Sequence, residues 1–382
     1  MAEGRDVILE VASPANDKEV RAFFEQFSLK GYLEVRPSRP QGFSRPYQVH
    51  SDDWRTYLLR SDEGEIQAIA SFVFRRALLG DRIRRVAWAT DLRVAPQRKA
   101  ILEWSQNFLP VIREIYEQEK VETIFSTINR ADPALQNVFL RPRSAKRSWP
   151  RYHLYRKFDL VTLHGRFPWA QPKLPHIRIT RADNSMKADL IAYLQSRSQY
   201  RPFASIWDME SFDERLRRMP GMKLEDFFLA LDNKNQIIGC MGNWSAEAIQ
   251  ELRPLTYGLR AHNFRQFLKF GRFLGWTRPL TKPVRSTGFE APLHFRYLVY
   301  PFASNEDVFD SLLTAVYENV NPDEFLMYAR AEQDFRRNPP KGWIAAEMPY
   351  SLYCLVPPEM PTPDFLDPRN KENPEIEAFL SL

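Results

Sequence analysis

Two stretches of the 382-residue sequence concentrate the side chains that could do chemistry on an anion. Residues 141–157 carry Arg141, Arg143, Lys146, Arg147, Arg151, Arg156 and Lys157 without one acid, and residues 252–289 carry eight Arg or Lys, again without an acid. Arginine's planar fork matches a phosphate bidentately, and Trp149 and Tyr152 lie among the cations of the first stretch, where an adenine or another base could stack. In the second, His262 to Leu274 has helical spacing, with Phe264, Phe267, Leu268, Gly271 and Leu274 along one side and Arg265, Lys269 and Arg272 along another. Such a helix offers one face to a core and one to a phosphate-rich ligand, an RNA or tRNA backbone, or an anionic membrane surface, unless its arginines simply pair with carboxylates. Other chemistries lack carriers. The six histidines are dispersed without HExxH or paired spacing, so no metal site is expected. GxSxG, GxxxxGK[ST] and GxGxxG are all absent.

These segments sit in a duplicated pattern. Tyr57 to Ile69 and Phe228 to Cys240 both read strand, polar turn, strand. Ahead of each lies a strand and an amphipathic helix: Val7 to Val11 with Asp17 to Phe27, and Ile177 to Thr180 with Met186 to Leu194. Behind each comes strand, helix, strand. Val86 to Val94, Leu102 to Gln118 and Glu122 to Ile128 correspond to Leu293 to Tyr300, Asp307 to Asn319 and Phe325 to Ala329, and an aromatic strand closes each half, Tyr152 to Val161 or Tyr350 to Val356. The expected class is α/β (α+β), two tandem domains, each a mostly antiparallel mixed sheet flanked by helices. Their expected extents are 1–166 and 176–356, joined by a Pro-rich linker 167–175 and followed by a tail, 357–382. The link from third to fourth strand is about ten residues in the first copy and about fifty in the second, the difference being the basic, aromatic insertion 251–289.

Composition agrees with a folded two-domain chain: 44% hydrophobic and 13% aromatic residues supply a core. No apolar run is long enough for a spanning helix, and Glu3, Asp6 and Glu10 replace a signal-peptide core, so a cytoplasmic protein is expected. Two cysteines, Cys240 and Cys354, fit a reducing compartment. The formal charge of +6 favours anionic partners only mildly.

The order of elements, and above all Leu92-Arg93-Val94-Ala95-Pro96-Gln97-Arg98-Lys99-Ala100-Ile101-Leu102, resembles the GNAT acyltransferase superfamily. In that family a strand ending in Val-x-Pro leads into Gln/Arg-x-x-Gly-x-Gly/Ala, whose main-chain amides at a helix start hold the pyrophosphate of acyl-CoA. The resemblance implies acetyl-CoA or a longer acyl-CoA as cosubstrate, held by Val94, Gln97, Arg98, Lys99 and Ala100. Ala100 replaces the first motif glycine and Leu102 the second, so the match is degenerate. It also implies a base on the central strands, here Asp91, and a tyrosine acid, whose position after Asp132-Pro133-Ala134 is held by Phe139, which has no proton to donate. Tyr152 and Tyr155 are the nearby substitutes. In the second half Ser304 or Asn305 can cap the helix while Glu306 and Asp307 complement its dipole, so no CoA is expected there.

The function this implies is N-acylation of an amine on a small molecule or peptide. Two rivals accompany it. One is a catalytically degenerate GNAT pair that binds a nucleotide or cyclic dinucleotide through Arg141, Arg143, Arg147, Arg151, Arg265, Lys269 and Arg272. The other is an aminoacyl-tRNA-dependent transferase, which predicts salt-sensitive tRNA binding lost on removing Arg265, Lys269 and Arg272.

Overall fold

A computed structural model describes residues 8–96, 98–132, 150–170, 177–366 and 372–381, with 98–106 described by their backbone alone. The first half runs β1 (Ile8–Val11), α1 (Asp17–Phe24), β2 (Leu33–Ser38), the single turn α2 (Arg45–Gln48), β3 (Trp54–Arg60), β4 (Ile66–Leu79), β5 (Arg82–Val94), α3 (Arg98–Gln118), β6 (Thr123–Asn129) and β7 (Arg151–Arg166). The second runs β8 (Arg178–Arg181), α4 (Lys187–Ser198), α5 (Met209–Arg218), β9 (Phe227–Leu231), β10 (Ile237–Trp244), β11 (Glu251–Tyr257), α6 (Leu259–Phe273), the turn α7 (Val284–Thr287), β12 (Phe295–Ala303), α8 (Glu306–Glu318), β13 (Phe325–Ala331) and β14 (Trp343–Val356).

Twelve strands form one sheet in the order β1-β3-β4-β5-β6-β14-β7-β13-β12-β10-β9-β8. It is antiparallel except where β5 meets β6 and β12 meets β13. The closing strands cross over. β14, from the second half, pairs with β6, while β7, from the first, pairs with β13, and the two long strands pair with each other at the centre. Each half is thus completed by the other's last strand.

Central strands covered on both faces need apolar residues at successive positions, and β4 supplies them. Ala68, Ala70, Phe72 and Phe74 face α3, whose Phe108, Val111, Ile112, Ile115 and Tyr116 recur at helical spacing. Ile69, Val73 and Ala77 face the opposite side, where one core runs beneath α1, α4 and α5 and joins the two halves. Val308, Phe309, Leu312 and Val316 of α8 play the α3 part in the second half. Asn305 caps α8, its side chain accepting the Val308 N–H.

Besides this exchange of closing strands, three features differ from the sequence reading. β4 and β5 continue into a long hairpin turning at Gly80 (φ 64°), so the expected ten-residue link is strand. β2 has no counterpart in the predicted pattern; it pairs with β11 from the insertion, forming a two-stranded ribbon between the halves. The end of the chain is also built into the core: Ala378, Phe379 and Leu380 are buried, and Phe379 packs on Trp244, Tyr297 and His50.

Candidate functional site

The parallel pairing of β5 with β6 covers only Val86, Ala87 and Trp88 against Thr123, Ile124 and Phe125. Beyond it the strands part. The cause is on the other edge of β5, where Ile69 pairs with Arg93 and Ser71 with Thr90, so that Asp91 and Leu92 oppose the single residue Ala70. Two residues facing one is a β-bulge, which bends its strand and ends pairing. Asp91 takes the left-handed conformation, with φ 53°. A short polar side chain tolerates that conformation better than most. A cavity of about 120 Å3 fills the resulting gap, lined in part by Leu29, Thr90, Asp91, Arg93, Ser126 and Tyr152. Leu355 of β14 and Leu380 and Ser381 of the terminal turn complete it, so the second half forms part of the wall of the first half's opening.

Asp91 is buried, and its Oδ2 carries two strong hydrogen bonds: Arg39 Nη2 donates at 2.7 Å and the Tyr47 hydroxyl at 2.5 Å. Arg39 is itself buried and donates further to Gln250 Oε1 (3.1 Å) and the Phe43 carbonyl (3.0 Å), with its guanidinium 4.4 Å from the Phe24 ring centroid, within cation–π reach. Among the described residues Oδ1 of Asp91 meets only the Arg93 guanidinium, at 3.9 Å. Burial raises the Asp91 pKa, but Arg39, Arg93 and the Tyr47 hydrogen bond outweigh it and hold the carboxyl below its ordinary value. The site therefore presents an ionised carboxylate with one oxygen committed and one facing little competition. Tyr152, across the cavity on β7, is kept protonated by burial, which pushes its pKa up.

Of the other residues singled out in the sequence, Val94 ends β5, and Arg98, Lys99 and Ala100 open α3, within the first turn whose N–H groups have no partner inside the helix. Gln97, Arg141, Arg143, Arg147 and Phe139 lie outside the described residues. Arg151 is turned to the chain's end, bonding the Met360 carbonyl. The three cations of α6 are not equivalent. Arg265 donates to the Leu280 carbonyl (3.3 Å), Arg272 pairs with Asp323 (2.6 Å), and Lys269 is exposed. Tyr155 points into the core shared by the two halves, against Phe203 and Phe365. Cys240 and Cys354 are buried thiols pushed up to about 12. No group of His, Cys, Asp or Glu among the described residues is placed to hold a metal, and none of their helices is long and apolar enough to cross a membrane.

Sequence reasoning missed Arg39, Tyr47, Leu29 and the terminal Leu380. Arg39 and Tyr47 lie in a Pro-rich connection after a strand that has no copy in the second half, and nothing in their spacing marks them. Leu380 reaches the site only because residues 372–381 fold back across the sheet.

No protein-family model matches the sequence, and no curated protein matches it either. Solved structures do. The GCN5-related glucosamine N-acetyltransferase region of a fungal multi-domain GH3 β-N-acetylglucosaminidase superposes with a TM-score of 0.54 at 9% identity, covering 93% of this chain and 38% of that one. A GCN5-related N-acetyltransferase from Sphaerobacter thermophilus covers 91% of this chain and 95% of its own at 11% identity, TM-score 0.48. Saccharomyces cerevisiae N-myristoyltransferase, solved with bound myristoyl-CoA and inhibitors, covers 91% and 80% at 10% identity, TM-score 0.49. With its helix-flanked sheet, its bulge ahead of a strand-to-helix junction and its parted central strands, the chain has the GNAT-like fold over more than nine-tenths of its length.

Proposed function

We propose that the chain is an acyl-CoA-dependent N-acyltransferase that works at the opening between β5 and β6. One observation carries the reading: the parted strands leave a lined cavity beside an ionised carboxylate, and the strand that bounds it leads straight into the amide-bearing start of α3. Acyl-CoA would supply an activated thioester, with its diphosphate on the main-chain N–H groups at Arg98 to Ala100. The cavity is small, about 120 Å3, which favours a short acyl group. Asp91 Oδ1 is the acceptor for the amine's N–H. Because Arg39 keeps the carboxylate ionised, it is available at any physiological pH, at the expense of basicity. The Tyr152 phenol, held protonated, is one of the hydroxyl groups in the wall that can give a proton, alongside Thr90, Ser126, Thr127 and Ser381. The acceptor is an amine on a small molecule or peptide.

The test is calorimetric titration with acetyl-CoA and longer acyl-CoAs, followed by thioester loss with a panel of amines. Binding that tightens toward short acyl groups, with turnover cut by Asp91→Asn, is expected. A protein that binds no acyl-CoA and consumes no thioester would end this reading.

A further inference from the structure

The outer face of α6 has the wrong polarity for a helix that ends in water. Helical spacing puts Phe267 and Leu274 on the core side, but α6 docks through Leu268 and Gly271, against Thr277, and the other apolar side chains are left outside. Leu259 is 78% exposed, Phe270 63% and Phe273 87%, with Phe267 and Leu274 also exposed. At 3.6 residues per turn all of them fall on one face, with Asn263 and Gln266 between them. Trp169 extends the patch: it is exposed, its ring stacks on Phe167 at 4.5 Å, and Phe167 meets Phe267 at 6.4 Å. Exposed apolar side chains are ordinary when scattered; a contiguous set marks a surface with an occupant.

Charge says which occupant. Arg260 lies on one edge of the stripe, in line with Phe267 (i, i+7), and Lys269 on the other, in line with Phe273 (i, i+4). Both are exposed, and neither meets a carboxylate among the described residues, whereas Arg272, further round, is paired with Asp323. Lys282 and Arg285, exposed in the segment that follows, carry the same sign, and residues 252–289 hold no acid. A second copy of the chain fits poorly, because an isologous contact would set these cations against their own copies. A nucleic acid fits poorly too: its backbone is gripped by cations in number, and Leu259 and Leu274 have no ring to stack on a base. An apolar stripe with a cation along each edge suits a helix lying in the plane of a bilayer, its rings in the acyl boundary and its Arg and Lys heads reaching back to lipid phosphates.

We propose that α6, with Trp169 at its side, docks flat on a membrane surface rich in anionic phospholipid. None of these side chains lines the opening between β5 and β6, so docking is independent of acyl transfer and is read without any acyl-CoA present.

The test is flotation of the full chain with vesicles of phosphatidylcholine alone and of equimolar phosphatidylcholine and phosphatidylglycerol. The unaltered protein is expected to float with the anionic vesicles and not with the neutral ones, and added salt should release it. Phe270→Ser combined with Phe273→Ser should weaken the partitioning by about tenfold or more, and Lys269→Gln by about fivefold. All three side chains are exposed, so the variants should melt with the parent. No flotation of the parent, equal flotation with both compositions, or flotation unmoved by the paired Phe substitutions overturns the proposal. So does a lipid-free dimer that those substitutions dissolve, which would give the face to a second copy. The comparison of the two vesicles needs no variant to fold.

Discussion

Asp91 and Tyr300 occupy the same position in the two halves of the sheet. Each is the left-handed residue of a bulge (φ 53° and 52°), and the registers match step for step: Ile69 with Arg93 and Ser71 with Thr90 in one, Cys240 with Phe302 and Gly242 with Val299 in the other. Each also takes an arginine from the layer above, Arg39 onto Asp91 and Arg215 onto the Tyr300 hydroxyl at 2.8 Å. What differs is the use. Tyr300 is packed against Trp207 and Phe227, whereas Asp91 lines a cavity. The same backbone device borders a cavity in one half and lies in the core of the other.

Asp91→Asn tests how much of the first bulge is electrostatic. Asparagine keeps the length and tolerates a positive φ, so the strand geometry should survive. Arg39 is then left as a buried charge without its counter-ion, and breaking such a pair by removing one partner typically costs about 3–5 kcal/mol. Urea denaturation should show a loss of that size, and the double variant Arg39→Met with Asp91→Asn should recover part of it. Additive losses in the double variant would mean that the two side chains act separately.

How far the sequence could be read is plain from particular residues. The paired hairpins, the helices at Leu102 to Gln118 and Asp307 to Asn319 and the closing strands were legible because each is bounded by turn residues and carries its own periodicity. The crossing of β7 and β14 was not, because both strands have the same aromatic pattern and pattern alone does not say which neighbour a strand chooses. Asp91 stood out through the family resemblance, but its partners did not. Arg39 and Tyr47 reach it across 52 and 44 residues of chain, and such contacts leave no local signal.

Acid should weaken the fold well above the carboxylate range. His50 and His164 are both buried; burial lowers both values, with Arg215, Arg75 and Arg218 adding to the effect at His50 and Arg278 at His164. Each is neutral in the folded chain and protonated in the unfolded chain below about pH 6.5. The unfolded state thus binds more protons, and stability falls with falling pH, by roughly 1.4 kcal/mol per pH unit for each ring. Denaturation midpoints at pH 7 and pH 5 should differ accordingly, and His164→Phe should halve the difference. A flat profile over this range would contradict the burial of both rings.

Glu375 should act in the opposite sense. It is buried, and burial together with the neighbouring Glu377 raises its pKa above the ordinary glutamate value. A raised carboxylate contributes stability below its unfolded pKa and loses it as pH rises through the folded one, so near neutrality it is a liability. Glu375→Gln keeps an acceptor for the Ser205 N–H (3.4 Å) and removes the repulsion. The variant is expected to be more stable than the parent at pH 7 and to lose that advantage below pH 4, as read from thermal melts at both values.

Docking of the insertion rests on one glycine in β7. A Cβ at Gly165 would run into the Trp276 carbonyl oxygen and the Thr277 backbone, and this closeness lets Arg166 N–H donate to that same carbonyl at 3.1 Å. The obstacle is main chain, so it cannot rotate away. Gly165→Ala should therefore push the segment after α6 off β7, with a stability loss of at least about 1–3 kcal/mol. Amide exchange would show faster exchange at Arg166 and Arg278, whose N–H groups bond across that junction, and unchanged exchange in β4 and β5.

The terminal turn offers the most direct link between packing and activity. Leu380 is buried and borders the cavity between β5 and β6, although it belongs to the last residues of the chain. Leu380→Ala removes packing, with a cost of about 2–5 kcal/mol for a buried leucine, and widens the opening. Leu380→Trp does the reverse and fills it. If the opening receives a thioester, the alanine variant should tolerate longer acyl groups than the parent, and the tryptophan variant should bind CoA without acyl discrimination or not at all. Calorimetry with acetyl-, butyryl- and octanoyl-CoA separates these outcomes; identical acyl-length profiles in parent and both variants would place the acyl group somewhere other than between these strands.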